Sequence, residues 1–82
     1  MSDIRNLGLL ERITVNAGVM LGKPTIRGTR LTVEHLLKSM AAGLDFTQLQ
    51  DDYPFLEPED LFACLLYASK VVENEKIFAI SA

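Results

Sequence analysis

Nine consecutive residues, Gly22-Lys23-Pro24-Thr25-Ile26-Arg27-Gly28-Thr29-Arg30, constrain this chain more than any other stretch. Two glycines and a proline in so short a span exclude a continuous helix: glycine permits positive φ, and proline fixes one dihedral and removes a donor. The stretch reads as turns and a hairpin, with Gly22, Pro24 and Gly28 setting its shape. Lys23, Arg27 and Arg30 add three cations. It is therefore either a tight structural corner or a surface of backbone and cations for an anionic partner.

The rest of the chain is read around this corner. Ile13-Thr14-Val15 is a β-branched run that suits a short strand, and Asn16-Ala17-Gly18 ends it. Thr25-Ile26 and Arg30-Leu31 are expected to form two short hairpin arms around Arg27-Gly28-Thr29. Strands this short need a further partner, either Ile13–Val15 or another chain. Thr32 is placed to cap a helix in which Val33, Leu36, Leu37, Met40 and Ala41 share one apolar face, with Gly43 as its stop. Asp45 and Gln48 make a capping box for a second, short helix carrying Phe46, Leu49 and Tyr53, and Pro54 ends it. Phe55-Leu56 is a connector whose side chains should be buried. Pro58 opens a third helix, behind Glu57 as a poor cap.

That third helix contains an unbroken apolar run, Leu61–Ala68. A helix apolar all round is normally covered all round, and two helices of the same chain cover only part of it. Phe62, Leu66 and Tyr67 are thus candidate contacts to a second copy or a partner. At 82 residues, 49% of them hydrophobic, the chain buries only about two-thirds of its unfolded surface, which also favours a homodimer. The tail carries Lys76 beside Ile77-Phe78 and reads either as a frayed end or as an apolar plug for a partner.

The expected architecture is mainly α, a three-helix, helix-turn-helix bundle preceded by a short β-ribbon. Its parts are an arm (1–12), the ribbon (13–31), the bundle (32–70) and a tail (71–82), all in one domain.

Charge is unevenly distributed. Residues 1–40 hold six cations against three acids, whereas residues 41–82 hold two against eight, for a net charge of -3. Any anion-binding surface belongs to the first half. A single cysteine, Cys64, inside an apolar run fits a buried thiol in a reducing cytoplasm. The chain shows neither a secretory leader nor an apolar run long enough for a membrane.

Catalytic patterns are missing. Gly18–Thr25 fails as a phosphate loop, because its glycines are too close, Pro24 stands where Ser or Thr would hold magnesium, and no helix follows directly. His35 and Glu34 are helix neighbours that diverge by about 100° and cannot converge on a metal. Asp51, Asp52, Glu57, Glu59 and Asp60 read as a solvated, capping-rich face. The expectation is a non-enzyme without metal, cofactor or small-molecule substrate. The customary reading helix of a helix-turn-helix would begin here with Glu57-Pro58-Glu59-Asp60, which repels phosphates. Lys23, Arg27 and Arg30 remain as the contacts to DNA.

Gly22-Lys23-Pro24, Ile26-Arg27-Gly28-Thr29-Arg30 and Val33-Glu34 resemble the hallmark of the domain-of-unknown-function family 433, as do Ala42-Gly43, Asp52-Tyr53-Pro54, Glu59-Asp60-Leu61 and Tyr67-Ala68. The resemblance runs from about Ile13 to Lys70. It implies a small, homeodomain-like helix-turn-helix fold, often dimeric, frequently encoded beside a PIN-like nuclease and regarded as the antitoxin of a toxin–antitoxin pair. Phe62 stands where members often place arginine, and Glu57 replaces the usual Thr or Ser cap. The functional expectation is an antitoxin-like protein that binds a PIN-like ribonuclease and contacts operator DNA through the ribbon. The alternatives are a DNA-binding regulator without a toxin partner and an orphan dimeric interaction module.

Overall fold

The β-branched residues of the corner build a small ribbon. In the computed structural model, which describes residues 8–75, a 3-10 turn at Leu10–Arg12 leads into strand β1 (Ile13–Thr14). Strand β2 (Thr25–Ile26) pairs with it antiparallel, Ile13 opposite Ile26 and Thr14 opposite Thr25. The other edge of β2 meets the returning chain at one bridge, Thr25 to Thr32, and through Ile26 N–H donating to Leu31 O at 2.9 Å. The expected hairpin arms therefore approach, but regular pairing goes to β1. The return arm has no room to lengthen, because Thr32 is already the first residue of the helical turn.

Helix α1 (Val33–Ala41) starts as its sequence dictates: Thr32 Oγ1 accepts from His35 N–H at 3.0 Å. It ends in a Schellman motif, with Leu44 N–H donating to Ser39 O at 3.1 Å and Gly43 N–H to Met40 O at 2.9 Å. Gly43 adopts φ +99°, which other residues rarely tolerate. Helix α2 (Phe46–Asp52) carries both halves of the capping box, each bond 2.9 Å long. Tyr53 leaves helical geometry ahead of Pro54.

Helix α3 (Pro58–Asn74) outruns the expected end of the bundle at Lys70. No glycine or proline stops it there, and Lys70–Glu73 and Asn74 Nδ2 to Lys70 O extend it by another turn.

One core cluster joins ribbon and helices: Ile26, Leu31, Val33, Leu36, Leu49, Leu56, Leu61 and Cys64, with Tyr67, Phe46 and Met40 packed against it. The connector splits between two environments. Leu56 is 1% exposed, whereas Phe55, expected inside, is 51% exposed. Part of the apolar run on α3 also stays outside, with Phe62 and Leu65 half exposed, and Val72 beyond the run is more exposed still. The fold is mainly α, three helices of helix-turn-helix order behind a two-stranded ribbon. Among the described residues, no helix is long and apolar enough to cross a membrane.

Candidate functional site

The ribbon turns at Ile26-Arg27-Gly28-Thr29, and the turn is bonded from three directions. Ile26 O accepts from Thr29 N–H at 3.0 Å and from Thr29 Oγ1 at 2.8 Å. Leu31 N–H donates back to Thr29 Oγ1 at 3.0 Å. Gly28 sits third in the turn at φ +79°, as a type II turn requires. Arg27 and Arg30 are thereby displayed on an exposed, fixed ridge. Among the described residues, neither guanidinium makes an ion pair or hydrogen bond.

Lys23 stands differently. Its Nζ lies 2.9 Å from Glu34 Oε1, and Lys38 Nζ lies 3.0 Å from Glu34 Oε2. Hydrogen bonds from Lys23 and then Lys38 lower the Glu34 carboxyl to about 2. Part of the Lys23 charge is thus already matched within the fold.

Arg12 lies behind the turn. Its carbonyl accepts from Arg27 N–H at 2.7 Å, and its Nη1 reaches Glu57 Oε1 at 2.7 Å and Asp60 Oδ1 at 3.1 Å. Hydrogen bonds to Glu57 and Asp60 hold the Arg12 pKa above its ordinary value. Asp60, expected on a solvated acidic face, is instead 4% exposed. Its Oδ2 accepts from Glu57 N–H at 2.8 Å, closing the first turn of α3. A buried carboxylate needs a cation and donors, and Arg12 with the Glu57 amide supplies both. The start of α3, where a helix-turn-helix would read bases, is therefore occupied by ion pairs.

Among the described residues, three open grooves meet at the turn, and Thr29 lines all of them. The first, of about 540 Å³, lies between Arg12, Arg27, Phe55 and Asp60. The second, of about 460 Å³, lies between Met20, Arg30, His35, Tyr53 and Phe55. The third, of about 570 Å³, lies between Asn16, Val19 and Arg30. Phe55 is the aromatic wall shared by the first two. Behind it Tyr53 packs at 6.2 Å between ring centroids, and Tyr53 in turn meets His35 edge-on at 6.1 Å. Tyr53 Oη and His35 Nε2 share a 3.1 Å hydrogen bond, so His35 is exposed, as expected of a helix-surface residue, yet held.

Before the ribbon, Met20, Leu21 and Gly22 take φ of 49°, 59° and 81° in succession. For Met20 and Leu21 this left-handed geometry costs about 1–2 kcal/mol each. Leu21 is 95% exposed at its tip.

The structure thus brings Arg27, Gly28 and Arg30 together, with Pro24 and Gly22 shaping the approach. Phe62, Leu66 and Tyr67 line none of these three grooves. Tyr67 packs on the core, while Phe62 and the half-buried Leu66 face outward on α3. Lys76, Ile77 and Phe78 lie outside the described residues. Sequence reasoning missed Arg12, Phe55 and the left-handed loop. Phe55 lies in a turn closed by Leu56 N–H donating to Tyr53 O at 2.9 Å, and nothing in the adjacent pair Phe55-Leu56 marks which of the two is buried. Among the described residues, no three His, Cys, Asp or Glu side chains cluster to hold a metal.

No curated protein matches the chain. A crystal structure of a DUF433 member protein from Anabaena variabilis ATCC 29413 is similar, with 31% identity and a TM-score of 0.70, covering 85% of this chain and 70% of that one. The family described as "Protein of unknown function (DUF433)" matches residues 13–68, which include the ribbon, the capped helices and most of α3. On both grounds the chain belongs to the DUF433 family.

Proposed function

We propose that this protein is a non-catalytic, homodimeric, antitoxin-like module of the cytoplasm that binds a PIN-like ribonuclease and contacts operator DNA through its ribbon. The observation that carries the reading is the rigid display of Arg27 and Arg30 on a hydrogen-bonded turn, in a chain whose other half is acidic. Two guanidiniums carried on a fixed backbone turn suit phosphate oxygens, and they equally suit the carboxylates of an acidic, metal-binding nuclease cleft. Phe62, Leu65 and Leu66 on the outer face of α3 supply the dimer contact, and the tail with Lys76, Ile77 and Phe78 is a second route to the nuclease.

The test is to identify what co-purifies with the native protein and to co-express it with any PIN-like ribonuclease so found. The two are expected to co-purify, and RNA cleavage is expected to fall in the complex. Undiminished cleavage in a stable complex, or no complex, rejects the antitoxin role. A regulator without a toxin partner then remains, favoured by the same turn. For that reading, the double variant Arg27→Ala/Arg30→Ala should weaken binding to upstream DNA and flatten its salt dependence.

A further inference from the structure

The first groove's acids are already matched by Arg12, which leaves Arg27, among the described residues, as the uncompensated charge on that side of Phe55. Arg30 lines the groove on the other side. An aromatic face between two displayed guanidiniums is an unusual use of apolar surface in a small domain. The adjacent Leu56 is buried almost completely, so the connector does present one side chain to the core. Phe55 is held outside it, braced by Tyr53, which is itself tied to His35.

We propose that Phe55 is a stacking platform for an unpaired base, and that the turn binds single-stranded nucleic acid with its phosphates on Arg27 and Arg30. The inference rests on reading the turn as an anion-binding surface and narrows the ligand from nucleic acid in general to the unpaired form. Unpaired bases expose a π face, which stacks on aromatic side chains irrespective of sequence, while cations track the backbone. A duplex keeps its base faces stacked internally and offers only edges and phosphates. The element that would read those edges, the start of α3, is closed by Glu57, Asp60 and Arg12. Phe55 is 51% exposed and lines two grooves, of about 540 and 460 Å³. The Tyr53–His35 pair on the wall of the second groove adds polar groups for the edge of a stacked base.

The chain contains no tryptophan, so Phe55→Trp places a single reporter on the platform. Titration with oligo-dT of about 12 nucleotides is expected to quench that fluorescence, while the duplex of the same length quenches it less and binds more weakly. By fluorescence anisotropy of labelled oligo-dT, Phe55→Ala should lose about tenfold in affinity and Phe55→Tyr should retain it. Unchanged circular dichroism of both variants separates loss of the platform from loss of fold. Duplex binding as tight as single-strand binding overturns the inference and leaves the turn's anion-binding role standing. So does binding that falls in Arg27→Ala/Arg30→Ala but not in Phe55→Ala. Binding of neither form, or binding indifferent to both arginines, overturns the inference together with the reading beneath it. Loss of nuclease capture in Phe55→Ala, with oligo-dT affinity unaltered, assigns the groove to a protein partner and overturns it as well.

Discussion

The Arg12 guanidinium and the Asp60 carboxylate meet at 3.1 Å, fastening the ribbon to the start of α3 across 48 positions of sequence. Asp60 is 4% exposed, and the Arg12 side chain 27%. Removing the cation leaves a buried carboxylate with one amide donor. Arg12→Ala should therefore destabilise the fold by about 2–3 kcal/mol, less than a fully buried pair because solvent reaches the arginine. Asp60→Asn, which keeps an acceptor for the Glu57 amide, should cost less. Urea denaturation of the two single variants and the double variant reads both the loss and the coupling.

Glu34 offers a prediction on the acid side. Its carboxyl, lowered from 4.5 to about 2 by Lys23 and Lys38, is fully ionised in the fold where an unfolded chain would begin to protonate it. The contribution of these pairs is thus present above about pH 4.5 and lost as the pH falls towards 2. The group is exposed, so the effect is small and screened by salt. Carboxyl NMR should show a depressed Glu34 midpoint that rises towards 4.5 in Lys23→Met.

Cys64 behaves oppositely. Burial, then the nearby Asp60 charge, raises its thiol from 9.0 to about 12. Above pH 9 the unfolded chain releases this proton while the fold retains it, so stability declines as the pH rises through that window. At neutral pH a disulfide reagent should label Cys64 only at the rate of opening. Fast labelling of the folded protein would contradict its complete burial.

Gly28→Ala isolates the cost of the turn. A Cβ at this position meets nothing within 4 Å, so the whole penalty comes from holding alanine at φ +79°. The loss should be about 1–2 kcal/mol by thermal or urea melts, with weaker anion binding if the turn relaxes and the arginines splay.

The outer face of α3 yields a prediction about assembly. Phe62→Asp/Leu65→Asp replaces two half-exposed apolar side chains. The change should be nearly neutral for the isolated fold, within about 0.5 kcal/mol. Light scattering should give a dimer for the parent protein and a monomer for this variant. A monomeric parent would remove α3 as the interface.

The helices were legible because their signals are local. Thr32, Asp45, Gln48, Gly43 and Pro54 each act within a few residues, and the structure uses each as its chemistry dictates. What was not legible lies in tertiary pairing. Nothing near Arg12 in sequence announces Asp60, and nothing near Asp60 distinguishes a buried carboxylate from its exposed neighbour Glu59. Phe55 and Leu56 are equally apolar, and only the packing decides which one points inward. The left-handed turn at Met20 and Leu21 defies residue preference, so no preference could reveal it. The Arg27–Arg30 turn stood out early because glycine and cations together leave few other uses.

Arg12 acts on both sides at once, its carbonyl on the Arg27 amide and its guanidinium on the head of α3. A ligand that immobilises the turn must then damp the local opening of that helix end, since one residue anchors both. Occupancy at Arg27 and Arg30 would be recorded as slower amide hydrogen exchange at Glu57 and Asp60, distant in sequence from the arginines that hold the ligand.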